Sequence, residues 1–242
     1  MAKESGLGDA LYLDEYDLTG DTGAVSSISA PFAPLILTGI DKYAPERKAG
    51  HADGKITWQA WHNPANAHVK LSALPRTDVI GSYFHGGAVG NVAASMTALQ
   101  VAYSPSRGAD GSLTFEVDLT ADGFGLEWGL QGTAGKRSDT IATNGASINN
   151  GAATAFGLNA YLHVFSFTGT SVTITIQDSA DNASFAALTG GAFSTVTAAG
   201  KERIATTATQ AVRQYLRVIT AGTFSQCTFA VNLVRNKAAL AA

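Results

Sequence analysis

The sequence is poor in cysteine, proline and charge. It holds one cysteine, Cys227, and six prolines in 242 residues, and 14% of its residues are charged. A single cysteine cannot close an internal disulfide, so an oxidised scaffold is excluded. Soluble domains average about 25% charged residues. The surface here must therefore be largely neutral and polar, which suits contact with other subunits. No stretch approaches the roughly 18 apolar residues of a membrane-spanning helix, and no membrane partner is expected. Lys3 and Glu4 are followed by no apolar run of leader length, so no secretory leader is expected. The 16 basic residues face 19 acidic ones, for a net charge of −3, and they are scattered singly or in pairs. Stable nucleic-acid binding needs clustered Lys and Arg against phosphates, and the sequence disfavours it.

Catalytic and metal signatures are also missing. His51, His62, His68, His85 and His163 fall in no HExxH or H-x-H spacing, and one cysteine adds little to a ligand set. Gly145-Ala-Ser147-Ile-Asn149 fails the nucleophile-elbow pattern at its last position. Gly123-Phe-Gly125 lacks the third glycine of a dinucleotide fingerprint, and there is no P-loop. The sequence thus predicts no enzyme, no cofactor and no metal. Asp178, Asp181 and Asn182 share one turn. Asx residues favour turns by bonding their own backbone, which is preferred here to a calcium loop. Phe185, beside that turn, is a core anchor or, less favoured, a sugar-stacking platform.

What is present is β-pattern. Leu113, Phe115, Val117 and Leu119 alternate with Ser112, Thr114, Glu116 and Asp118, a strand with one core face and one acidic face. Ile56, Trp58 and Ala60 alternate with Thr57, Gln59 and Trp61, which puts Trp58 in the core and Trp61 outside. Cys227 shares parity with Phe229, Val231 and Leu233, and core packing is its expected role. Further strands are predicted near Ala10–Tyr16, Val79–His85, Val92–Tyr103, Tyr161–Phe167, Val172–Ile176, Phe193–Val196, Arg203–Thr206, Arg213–Thr220 and Cys227–Val234. One helix is predicted near 64–74. Asn63 would cap it, Pro64 open it and Pro75 stop it, with Leu71 and Leu74 packed on a sheet. The fold class is mainly β, with two lobes. A β domain spans 1–128, a Gly/Asn-rich loop or linker spans 129–157, and a second β-sandwich lobe spans 158–242. The stretch 136–157 lacks large core residues and is expected to order only on assembly. Trp128, at the lobe junction, is expected to pack the lobes together.

Several separated segments resemble one family. They are the opening Met-Ala-Lys-Glu-Ser-Gly-Leu-Gly, Thr38-Gly-Ile-Asp-Lys42 with Glu46-Arg47, and the block Asn63 to His68. Arg107-Gly-Ala-Asp-Gly-Ser-Leu-Thr-Phe115, Thr133-Ala-Gly-Lys-Arg-Ser-Asp-Thr140, Gln177 to Phe185 and Tyr215-Leu-Arg-Val-Ile-Thr220 complete the set. In this order they are similar to the major tail (tail tube) proteins of long-tailed, siphovirus-type phages of actinobacteria. The aromatic strand Lys55 to His62 departs from that pattern.

The resemblance implies a tail-tube-like β-sandwich or barrel with one short flanking helix. It implies subunits that close into a ring, usually a hexamer, and rings that stack into the hollow conduit for DNA ejection. Expected partners are further copies of the chain and the tape measure, tail terminator and distal tail proteins. DNA would pass without stable binding, and the protein would reside in the virion tail after assembly in the host cytoplasm. Glu116 and Asp118 are candidate lumen-facing residues. Trp61, Lys136, Arg137 and Asp139 are candidate subunit-interface residues. The alternative is a β-sandwich carbohydrate- or receptor-binding tail protein.

Overall fold

The computed structural model describes residues 5–74 and 76–236. Met1–Glu4 and Pro75, the expected helix stop, lie outside the described residues. In chain order the elements are β1 (Ala10–Leu13), β2 (Tyr16–Asp17), a 3-10 turn (Thr19–Asp21), β3 (Thr22–Ser29), β4 (Phe32–Ile36), β5 (Arg47–Ala52) and β6 (Lys55–Trp61). They continue with α1 (Ala67–Leu71), β7 (Val79–Phe84), β8 (Val92–Arg107), β9 (Leu113–Ala121), β10 (Glu127–Gln131), β11 (Arg137–Asp139) and β12 (Asn144–Asn149). The last are β13 (Leu158–Ser179), β14 (Ala186–Ala192), β15 (Gly200–Ala205) and β16 (Tyr215–Arg235). The chain is mainly β, as its alternation predicts.

The compact units are not consecutive in sequence. The larger comprises Met1–Gly20, Ile80–Ser95 and Trp128–Ala242, and the smaller comprises Asp21–Val79 and Met96–Glu127. The stretch 129–157, expected as a loop or linker, instead carries most of β10 and all of β11 and β12 inside the larger unit. Each of the three pairs antiparallel with β16, and Ile148 and Leu130 pack on the buried cluster, so strand pairing with a few anchoring side chains orders this segment.

In the larger unit the strand order is β14-β13-β16-β10-β8-β7-β1-β2, with β15 also on β13. Its frame is the antiparallel ribbon of β13 and β16, paired from Leu158↔Arg235 to Ser179↔Tyr215. The short strands expected at 161–167 and 172–176 are parts of this one 22-residue strand. A straight strand of that length would run about 70 Å. Yet Ala160 and Leu162 near one end share a single buried cluster with Ile174 and Ile176 near the other. The ribbon must therefore fold over on itself. Register shifts between Val164 and Ser171 supply the bend. Gly169 (φ 151°) and Gly222 (φ 139°) lie in this stretch, and a Cβ on either would overlap the opposite backbone. Cys227 is fully buried in this cluster, and burial pushes its thiol up to about 11.

In the smaller unit β6 pairs with β3 and β9, and β9 with the second half of β8. Phe115, Val117 and Leu119 are buried as the alternation predicts, whereas Leu113, at the strand start, is exposed. The helix is shorter than expected, five residues instead of the span 64–74. Asn63 does not cap it. Its side chain donates to Asp21 Oδ1 (2.8 Å) and accepts from Ala65 N (3.0 Å), which holds a turn where the first helical residues were expected. Asp21 itself anchors the helix start, accepting from Asn66 Nδ2 (2.7 Å) and Ala67 N (3.3 Å). At the other end Gln100 Nε2 donates to Leu71 O (2.7 Å). Leu74 adopts φ 41° and is exposed, so Leu71 alone of the expected pair is buried.

Candidate functional site

Beside the smaller unit's main ladder is a separate two-stranded ribbon, β4 paired with β5. Every residue of β4 is exposed, and in β5 only Gly50 is not. Phe32, Leu35, Ile36 and Leu37 are 52–65% exposed, and Ile40 and Tyr43 in the connecting loop are fully so. Phe32 and Ile36 share one face of β4 and Leu35 lies on the other, and all three are largely exposed. Lys42 at the loop lies between two carboxylates, Asp41 (3.3 Å) and Glu46 (3.6 Å). An isolated two-stranded ribbon is marginal in water, and apolar patches of this kind mark interaction surfaces. Pro31 and Pro34 interrupt the strand pattern here, so the sequence does not announce an apolar hairpin.

The candidate lumen residues sit on the polar face of β9. Glu116 is exposed, opposite Gln59 on β6 and Ser104 on β8. Asp118 is half-buried. It pairs with Lys55 Nζ (3.2 Å) and accepts from Thr57 Oγ1 (2.6 Å), so its charge is compensated within the subunit. Trp61 is 46% exposed where Trp58 is 1% exposed, the outside-inside contrast that strand parity predicts.

The candidate interface residues in the Thr133–Thr140 block divide sharply. Lys136 pairs with Asp17 and lies over the Phe165 ring, with its side chain partly exposed. Arg137 and Asp139 turn inward. The Arg137 fork donates to both Asp139 oxygens (2.8 and 2.6 Å), to Val218 O (2.9 Å) and to Thr143 O (3.1 Å). Asp139 also accepts from Thr220 Oγ1 (2.7 Å). With side chains 14% and 5% exposed, these two give a neighbouring subunit little to touch. They pin β11 to β16 instead.

The Asp-rich turn is a turn. Asp178 is spent on Arg213, accepting Nε (2.9 Å) and Nη2 (2.6 Å). Asp181 accepts the backbone N–H groups of Ala183 (2.9 Å) and Ser184 (2.8 Å), bonds that hold its carboxyl far below the usual range. Asn182 accepts from Ser147 Oγ (2.6 Å). Arg217 covers the Phe185 ring at 4.1 Å, so that ring presents no bare face to a sugar on that side. Trp128, expected to pack the lobes, is half-exposed and lines a cleft of about 360 Å³ with Asn149, Asn150 and Arg235.

His163 Nε2 lies 2.7 Å from Ser82 Oγ. Both residues are fully buried. The other ring nitrogen meets the Asp14 backbone carbonyl rather than a carboxylate (2.6 Å). A nucleophile needs access to substrate and a base with an orienting partner, and this pair lacks access. Among the described residues no three His, Cys, Asp or Glu side chains group as a metal site, and no helix is long and apolar enough to cross a membrane.

The chain matches no family model and no curated protein sequence. Among solved structures it is similar to the Dit protein of phage SPP1, described as a paradigm of the hub adsorption apparatus in phages infecting Gram-positive bacteria. Identity is 12%, coverage 94% of this chain and 99% of that chain, and the TM-score 0.33. It is also similar to a chain of the phage P2 baseplate in its activated conformation with calcium, at 9% identity, 94% and 98% coverage and a TM-score of 0.33. Scores this low establish no shared fold.

Proposed function

We propose that this protein is a structural subunit of a phage tail tube, built to polymerise with copies of itself. The observation that carries the reading is the β4–β5 ribbon. It holds large apolar side chains in water on both faces, with no core of its own. Burying such a surface on a second subunit gains roughly 25 cal/mol per Å² of apolar area. A cyclic assembly would cover it at every position. The reading is further supported by the segments that resemble tail tube proteins, by the low charge and by the sealed serine–histidine pair.

In this reading the subunits form hexameric rings that stack and meet the tape measure, terminator and distal tail proteins at the ends of the tail. Trp61 and Lys136 remain candidates for subunit contact, and Arg137 and Asp139 act within the subunit. Glu116 faces the channel and repels passing DNA. Negative-stain electron microscopy of the purified protein tests this. Rings with a central hole, or tubes, are expected, and discrete monomers in both low and physiological salt overturn it.

A second reading, a carbohydrate- or receptor-binding tail protein, draws on the cleft beside Trp128, where an aromatic face lies near two amides and a guanidinium. Discrete particles that bind a glycan array through Trp128 would favour it.

A further inference from the structure

The smaller unit brings together two imidazoles that stand six residues apart in the chain. His62 follows β6 directly, and its backbone N–H donates to Leu113 O (3.2 Å). His68 lies in the single turn of α1, and its N–H donates to Asn63 O (2.9 Å). The two ring centroids are 4.8 Å apart, with the planes at 54°. Phe115 forms the floor, 5.6 Å from the His62 ring and 6.1 Å from the His68 ring. Tyr103 stacks on Phe115 at 4.2 Å, and its hydroxyl is 2.9 Å from His68 Nδ1.

We propose that His62 and His68 form a two-imidazole site for a first-row divalent cation of the zinc, nickel and copper class. The spacing fits. A metal 2.0–2.1 Å from one nitrogen of each ring, at a tetrahedral angle, sets the ring centroids about 5 Å apart. A hydrogen-bond partner is in place as well. Ligating histidines hold their second ring nitrogen in a hydrogen bond that fixes the tautomer. Tyr103 occupies Nδ1 of His68; with Nε2 on an ion, the Nδ1–H would donate to the Tyr103 hydroxyl. Neither ring nitrogen of His62 has a hydrogen-bond partner among the described residues, so that ring is not committed elsewhere.

The donor set selects the ion. Two imidazoles without a carboxylate or thiolate suit zinc, nickel and copper, and do not suit magnesium or calcium. No third His, Cys, Asp or Glu joins them among the described residues, so water completes the coordination shell. Such an ion would tie the end of β6 to a helix of five residues. A ligand that binds only the folded state raises its stability.

The test uses untagged full-length protein. Sub-stoichiometric Ni²⁺ is added while the histidine ring signals are followed by NMR. His62 and His68 are expected to broaden first, ahead of exposed His51 and of His85, which pairs with Asp9 (2.9 Å). Cu²⁺ is expected to bind at one ion per chain with an EPR pattern of two nitrogens. Zn²⁺ is expected to raise the unfolding temperature of the wild type and not of His62→Asn/His68→Asn. Each single substitution should weaken Zn²⁺ binding at least tenfold. Tyr103→Phe keeps both imidazoles and should weaken it less. Broadening of His51 or His85 at the same Ni²⁺ concentration overturns the proposal, and it does so even if the variants fail to fold. Unchanged Cu²⁺ binding in the folded double variant also overturns it, leaving an aromatic cluster only.

Discussion

The ring of His163 donates its Nδ1 proton to the backbone carbonyl of Asp14 at 2.6 Å. A carbonyl can only accept, so this one bond fixes the tautomer of a fully buried imidazole. Nε2 must then accept from Ser82 Oγ. Ser82 in turn accepts from Ser95 Oγ (2.6 Å), and Ser95 from Asn232 Nδ2 (2.8 Å). The carboxylate of Asp14 accepts from Ile80 N (2.7 Å) and pairs with Lys201 (2.8 Å). The chain of bonds links β7, β8, β13 and β16 in the larger unit, and it works only while His163 is neutral.

Stability should therefore fall in mild acid. Burial, opposed by the Asp14 carbonyl and carboxylate and reinforced by Lys201, pushes the His163 imidazole down to about 4. In the unfolded chain it titrates near 6.5. Between those values the unfolded state binds more protons, so His163's contribution is complete above about pH 6.5 and is lost as pH falls toward 4. The slope approaches roughly 1.4 kcal/mol per pH unit. Urea titrations at pH 7, 6 and 5 check this. The slope should flatten in His163→Gln, and an unchanged slope would contradict the assignment.

Asp139→Ala should be costly. It leaves the Arg137 guanidinium, 14% exposed, without its carboxylate and takes from Thr220 Oγ1 its shortest acceptor. Breaking a buried pair on one side costs about 3–5 kcal/mol. Arg137→Lys should rescue little, since one ammonium cannot span Asp139, Val218 and Thr143 as the planar fork does. Denaturant midpoints of the three proteins measure both effects.

Asp21→Ala should loosen the helix more than its sequence distance suggests. Asp21 accepts from Asn63, Asn66 and Ala67, and removing it leaves three donors without their carboxylate. The expected loss is about 1–3 kcal/mol. Hydrogen exchange should show the amides of Ala67 to Leu71 opening faster, with the β13–β16 ribbon unaffected.

Glu116→Lys isolates the channel argument. Asp118 is unsuitable for that test, because its loss would also strand Lys55 and Thr57. With Glu116 replaced, tubes should form normally and DNA delivery should fall. Normal tubes with normal delivery would put this face outside the channel.

Period-2 alternation made the strand faces legible. It placed Phe115, Val117, Leu119 and Trp58 inside, Trp61 outside and Cys227 in the core. Features set by distant partners were not legible. The turn-like Thr168-Gly169-Thr170-Ser171 reads as a strand end. It is a bend inside β13, since β16 pairs along both sides of it. The helix starts where Asp21, 46 residues earlier, accepts the Ala67 amide, and no local capping rule reports that. The stretch 129–157 reads as a linker because its order comes from backbone pairing to β16 and from Arg137 reaching Val218 O. His62 and His68 match no ligand spacing, because a strand end and a helix turn bring them together.

Sedimentation of the wild type beside Phe32→Ser/Ile36→Ser/Ile40→Ser tests the assembly reading most directly. These side chains are mostly exposed, so the variant should keep the wild-type unfolding midpoint. The wild type should sediment as rings or larger species that grow with concentration, and the variant as a monomer. A wild type that remains monomeric at high concentration in low and physiological salt would contradict the reading, as would a variant that assembles as the wild type does.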